Sequence, residues 1–194
     1  AVIEEVILKI TKKLSNEYKL PNLCMAGGVA LNCVANSKIL KANHFKNLWI
    51  QPAAGDAGGA VGAALSAWYQ QLNKPRLVNG VDSMKGAFLG PKYTQDEITK
   101  LLLKCGAKFE VINDDLIIKK TAKALAEDKA IGWFQGRMEF GPRALGARSI
   151  IANPRSEKMQ KNLNLKVKYR ESFRPFAPSV LREDLKEWFD LDCD

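Results

Sequence analysis

Apolar residues return every three to four positions at the start of the chain. Val2, Ile3, Val6, Ile7, Ile10 and Leu14 keep this spacing, with Glu4, Glu5, Lys9, Lys12 and Lys13 between them. An amphipathic helix is therefore expected first. After Pro21 the pattern changes to a short apolar run, Leu23-Cys24-Met25-Ala26, of the length of a buried strand. Gly27-Gly28 ends that run, and Val29 to Leu40 again reads as helical. Leu48-Trp49-Ile50 is a second short strand, Gln51 to Gly59 a turn, and Ala60 to Leu72 a helix rich in small residues. Helix, strand, helix, strand, helix in this order predicts an α/β layered domain.

Residues 73–85 contain Asn-Lys-Pro-Arg and Val-Asn-Gly-Val-Asp-Ser and read as a linker. A second unit is expected from Gly86, opening on Phe88-Leu89-Gly90-Pro91, so the predicted division is 1–80 and 86–194. Thr94 with Glu97 forms a capping box for a helix to about Leu103. Phe109-Glu110-Val111-Ile112 reads as a strand, and Asn113 as the cap of a helix to about Asp128. Ala130 to Phe134 is a strand, followed by a glycine-rich loop and Ser149-Ile150-Ile151-Ala152, and Ser156 begins a last helix. Phe173, Phe176 and Val180 are expected in the core.

Composition narrows the classes. Hydrophobic content of 46% and charged content of 26% are ordinary for a globular protein. No apolar run is long enough for a membrane helix and no leader pattern opens the chain, so a cytoplasmic protein is expected, with no membrane partner. A beginning inside a helix and an end without a stop signal read as two cuts in a longer protein. Cys24, Cys33, Cys105 and Cys193 show neither zinc nor disulfide spacing and are expected to be buried free thiols. The single histidine, His44, reads as an exposed residue at a helix end, which disfavours a Ser-His-Asp or Cys-His-Asp system.

Charge points more sharply. The chain carries +9, and from Gly136 to Arg182 eleven Lys or Arg face three acids, a net +8. Seven of the eight arginines lie there, and arginine suits planar, bidentate recognition of phosphate. A nucleic acid backbone and a compact polyphosphate both fit such a segment. Extended nucleic acid footprints bring exposed aromatics or a recognition helix, whereas these arginines stand among Gly and Pro, which favours the compact ligand.

Four stretches carry candidate chemistry. Met25 to Asn32 is a strand, a Gly-Gly turn and a helix start, where backbone N–H groups can approach an anion, although such turns are often only geometry. Gly55-Asp56-Ala57-Gly58-Gly59 places an acid at a strand end, suited to a metal-bound phosphate or, more plainly, to capping the next helix. Gly136 to Ser149 sets Arg137, Arg143 and Arg148 in a backbone fixed by Gly141, Pro142 and Gly146. It can hold guanidinium and N–H donors around a phosphate or carbamoyl oxygen, or it is a rigid turn in which Glu139 pairs an arginine. Lys168 to Val180 brings Lys168, Arg170 and Arg174 toward an anion, with Glu171 neutralising one of them.

Together these stretches resemble the O-carbamoyltransferase family of nodulation and antibiotic-tailoring enzymes. GGVALNCVANSKI and GDAGGAVGAAL look like the end of its actin/hexokinase-type, Kae1-like ATPase domain. Phe88-Leu89-Gly90-Pro91, GRMEFGPRALGARSIIANPR and KYRESFRPFAPSV look like its following, here incomplete, YrdC-like α/β domain. The resemblance implies formation of carbamoyladenylate from carbamoyl phosphate and ATP, then transfer of the carbamoyl group to a hydroxyl of a small-molecule acceptor. It implies Arg143 and Lys168 as principal substrate-binding residues, with Arg137, Arg148, Arg174 and Ser179 behind them. Gly27, Gly28, Asn32, Gly55 and Gly58 are implied at the nucleotide and Asp56 at a metal, with Mg2+ a further candidate. The family's iron (Fe2+) would need histidines from upstream of Ala1, so Asp56 cannot form that site alone. Ala147 stands where the family often carries a polar residue such as Asn. The rival readings are a threonylcarbamoylation-like tRNA-modification module and an RNA-binding module using residues 136–182.

Overall fold

A computed structural model of the chain describes residues 2–190, and its first helix, α1 (Val2–Tyr18), forms where the apolar spacing places it. Strand β1 (Asn22–Met25) follows, then a 3-10 turn, Gly28–Leu31, and helix α2 (Cys33–Lys41). The expected single helix from Val29 is thus split. Asn32 is the reason, because its side-chain oxygen accepts from the Ala35 N–H at 3.2 Å and starts α2 afresh. Strand β2 (Asn47–Ile50) pairs with β1 in parallel, Leu23 opposite Leu48 and Met25 opposite Ile50. Helix α3 (Asp56–Ser66) begins one turn earlier than expected and runs on as a π turn, Ala67–Gln71.

The core here is small. Ile7 of α1 meets Ala35 and Ile39 of α2, and Leu8, Leu23, Met25 and Leu48 pack on them from the helix and the sheet. Side chains alternate across a strand, so Cys24 and Trp49 lie on the other, exposed face. The expectation of buried thiols is corrected accordingly: Cys24, Cys33 and Cys105 are free and exposed. A sheet of two strands covered on one face cannot bury both sides of Leu23-Cys24-Met25-Ala26. Cys193 lies outside the described residues. His44, read as exposed, is half-buried past the end of α2, where its carbonyl accepts from the Ser15 hydroxyl at 2.8 Å.

Residues 73–85 have no regular structure until a 3-10 turn at Lys85–Ala87. Helix α4 (Gln95–Lys104) carries the expected capping box. Thr94 N–H donates to the Glu97 carboxylate at 2.7 Å and Glu97 N–H to the Thr94 hydroxyl at 3.3 Å. Helix α5 (Asp114–Ala126) starts at its Asn113 cap, which accepts from Leu116 N–H at 2.9 Å. Strands β3 (Ile131–Phe134) and β4 (Arg148–Ile151) pair as a second two-stranded sheet. Helix α6 (Met159–Asn162) continues as a π turn, Leu163–Val167, and α7 (Leu185–Trp188) is a single turn. The chain is mixed α/β, as expected.

Three expectations fail locally. Phe109–Ile112 is not a strand: it pairs with neither of the two described sheets, and without a partner a strand-like composition forms no ladder. Ser156 does not open α6; its hydroxyl donates to Asp128 at 3.1 Å and the helix starts at Met159. Phe173 is 77% exposed and Val180 36% exposed, since no described element covers them, while Phe176 is half-buried beneath the Arg170 guanidinium, 5.1 Å from its ring centre.

By contacts the described chain forms two compact units. One runs to Leu101 and takes up Phe134–Arg148; the other comprises Leu102–Trp133 and the chain from Ser149 on. The first unit therefore holds three of the four stretches singled out by sequence.

Candidate functional site

Those three stretches meet at two buried alanines. The Gly27 N–H donates to the Ala54 carbonyl at 2.6 Å, tying the Gly-Gly turn to the loop after β2. Ala53, fully buried, takes contacts from both sides. A Cβ on Gly58 would stand 2.1 Å from the Ala53 carbonyl oxygen, and one on Gly141 would stand 2.9 Å from Ala53 Cα and Cβ. Gly141 also has φ +114°, so it is glycine for its backbone as well as for its neighbour. Gly58 thus packs on protein. Around Gly28 and Gly55 a Cβ would meet nothing within 4 Å.

The arginine loop is held at its start by pairing with residues 87–91. Gly90 N–H donates to Met138 O at 2.8 Å, Met138 N–H to Pro91 O at 2.9 Å and Phe140 N–H to Ala87 O at 2.7 Å. Arg137 donates from Nη1 to the Gly90 carbonyl at 2.7 Å. At its end, Gln135 N–H donates to Ala147 O at 2.9 Å and continues the pairing of β3 with β4. An open depression of about 290 Å³ lies against this loop, lined by Phe88, Gln135, Gly136, Arg137, Leu145, Gly146 and Ala147.

Glu139 sits at the centre of the loop and is only 1% exposed. Its Oε1 accepts from Leu145 N–H at 2.6 Å and from Ala147 N–H at 2.8 Å. Its Oε2 lies 3.6 Å from Arg148 Nε and has no hydrogen-bond partner. Burial pushes this carboxyl up, but the backbone N–H groups of Leu145, Glu139 itself, Ala147 and Arg148 outweigh that and hold it below the usual 4.5. Arg148 also donates from Nη2 to the Gly141 carbonyl. In this structure Arg148 therefore braces the loop from within, and Glu139 does pair an arginine. Arg143, between Gly141 and Gly146, is exposed.

The fourth stretch belongs to the second unit and is organised by a residue that sequence reasoning missed. Asn164 is fully buried. Its amide donates to Ser172 O at 3.1 Å and Arg174 O at 2.8 Å, and its oxygen accepts from Arg170 Nε at 2.7 Å. The available signal was a polar residue inside the apolar run Leu163-Asn164-Leu165. Glu171 pairs Arg174 at 2.7 Å, as expected, with both side chains about half exposed, and its own backbone amide, joined by the Arg174 guanidinium, holds its carboxyl below 4.5. Lys168 and Ser179 are exposed. Arg143 lies in the first unit and Lys168 in the second.

Two expected ligands have other duties here. Asn32 caps α2. Asp56 is exposed in the first turn of α3, whose cap is Gly55, so the simple reading of Asp56 as that cap is corrected. A carboxylate there still complements the helix dipole. Among the described residues no three His, Cys, Asp or Glu side chains gather as a metal site, and no helix is long and apolar enough to cross a membrane.

Comparison with known proteins bears on all four stretches. A family model of the Carbamoyltransferase N-terminus matches residues 1–65, and one of the Carbamoyltransferase C-terminus matches residues 122–194. Uncharacterized protein sll1178 of Synechocystis sp. is 55% identical over 193 residues, 98% of this chain and 31% of that one. Nodulation protein NolO of Bradyrhizobium diazoefficiens is 40% identical over 190 residues, 97% of this chain and 34% of its own. The 3'-hydroxymethylcephem-O-carbamoyltransferase of Streptomyces clavuligerus is 34% identical over 170 residues, 88% and 30% respectively. The chain spans about a third of the length of these curated relatives.

Proposed function

This chain belongs to the carbamoyltransferase family, and from that premise we propose that it serves ATP-dependent transfer of a carbamoyl group to the hydroxyl of a small molecule. In this reading residues 1–80 close a Kae1-like ATPase domain and residues 86–194 begin a YrdC-like domain. The overall balance is carbamoyl phosphate, ATP and water giving carbamoyladenylate, pyrophosphate and phosphate. The acceptor hydroxyl then takes the carbamoyl group and releases AMP.

The observation that supports this reading most is the arginine loop. Exposed Arg143 projects from a backbone fixed at both ends by hydrogen bonds and from within by Glu139. Both halves of the reaction move charge onto leaving phosphates, and a guanidinium held ready at such a charge stabilises it without reorganising. Lys168, exposed in the second unit, is the other cation that the resemblance implies for substrate phosphates. Gly28 and Gly55, open to approach, are the backbone positions suited to the phosphates of ATP, and Asp56 is a single carboxylate for a magnesium ion carried by them. Among the described residues no set of ligands makes the iron centre that the resemblance implies.

The test is formation of the adenylate by the full-length protein from ATP and carbamoyl phosphate without acceptor, read by mass spectrometry. Arg143→Ala and Lys168→Ala should each lower its rate about a hundredfold or more. Absence of adenylate from a folded, metal-replete protein, or full activity in both variants, would overturn the reading.

A further inference from the structure

The geometry points to Glu139 as the positioning residue of the arginine loop: its buried carboxylate closes the span from 139 to 147 and thereby sets the place from which Arg143 reaches substrate. This rests on the reading of Arg143 given above.

A carboxylate so thoroughly removed from water costs stability unless it is paired and hydrogen-bonded. Glu139 is only partly so. One oxygen takes two backbone N–H groups on the far side of the loop, while the other faces Arg148 Nε at 3.6 Å without a hydrogen bond. An apolar residue would fill the same space without that desolvation. The chain's use of an acid here is explained by what it joins. Glu139 at the loop's entry binds Leu145 and Ala147 at its exit, and Arg148 ties the exit back to Gly141. Between these clamps stand Gly141, Pro142, Arg143 and Ala144, so the only cation between entry and exit is Arg143. Its own side chain is exposed, and its backbone direction is therefore inherited from the closure. Charge-assisted acceptance is about twice as strong as neutral acceptance, which suits a closure that must persist while a polyanion pulls on the arginine.

The experiment uses the full-length protein and Glu139→Gln, which keeps the shape and one acceptor but removes the charge. Carbamoyl phosphate affinity is read by calorimetry and as KM against kcat in adenylate formation. Glu139→Gln should weaken carbamoyl phosphate about ten- to a hundredfold. Hydrogen exchange at Leu145 and Ala147 should quicken about tenfold with the other helices unchanged. A purely structural role would give the same loss whether or not Arg143 is present. A role through Arg143 predicts that in the Arg143→Ala background Glu139→Gln adds less than about threefold, because residues acting as one unit are not additive. Full additivity, or unchanged affinity and exchange in Glu139→Gln, would overturn the proposal. A wild-type protein that neither binds carbamoyl phosphate nor makes adenylate would instead overturn the reading of Arg143, and with it the role through Arg143. The exchange arm would still decide whether the carboxylate closes the loop.

Discussion

Gly141 carries two constraints that can be separated. Its φ of +114° is unfavourable for any side chain, and a Cβ there would also press on Ala53 at 2.9 Å. Gly106 has φ +65° and open space around it, so it isolates the first constraint. Gly106→Ala should cost about 1–2 kcal/mol. Gly141→Ala should cost about 2–5 kcal/mol, the backbone term plus overpacking of a buried contact. Ala53→Gly removes one of the two opposing carbons and should recover part of the excess in the Gly141→Ala background. Denaturant unfolding of the four proteins measures this. Equal costs at Gly106 and Gly141 would mean that the Ala53 contact is slack. The sequence showed Gly141 as a fixed point of a rigid turn. It could not show what the glycine makes room for, because Ala53 lies 88 positions away.

Among the elements, what was legible is what a few neighbouring residues decide. The Asn113 cap, the Thr94–Glu97 box, α1 and strands β1, β2 and β3 need only local spacing and capping chemistry. Phe109-Glu110-Val111-Ile112 has the composition of a strand but finds no edge, and pairing is a tertiary property. The exposure of Cys24 and Phe173 was hidden for the same reason: the apolar pattern says that a face wants cover, not whether one is supplied. Helix α3 shows both levels in three glycines. In a helix interior Gly→Ala normally stabilises by about 0.5–1 kcal/mol. Gly59 and Gly62 have nothing within 4 Å of an added Cβ, so Gly59→Ala and Gly62→Ala should each follow that rule in this chain. Gly58 must break it, since its Cβ would fall 2.1 Å from a backbone carbonyl oxygen. Thermal melts that rise for Gly59→Ala and Gly62→Ala and fall for Gly58→Ala would match the packing described; a rise for Gly58→Ala would refute it.

At the scale of the whole molecule, the +8 segment is less available to a polyanion than its sequence suggests. Its eleven cations divide three and eight between the two units. Arg137 is spent on Gly90, Arg148 on Glu139 and Gly141, Arg170 on Asn164, and Arg174 on Glu171. Cations already committed to carbonyls and carboxylates release few counterions to a polyanion. Log K for single-stranded RNA falls with log salt by about 0.7 per phosphate neutralised. A footprint using all eleven would give a slope near −8 and one using only the other seven a slope near −5, whereas a compact site that neutralises two or three phosphates predicts a slope no steeper than about −2. A salt titration with a labelled RNA oligonucleotide separates the two. A slope of about −5 or steeper, unaffected by ATP or carbamoyl phosphate, would favour the nucleic acid reading over the carbamoyl one. A shallow slope together with competition by ATP would leave the arginines as groups for compact phosphates, which is the use their Gly- and Pro-fixed backbone suits.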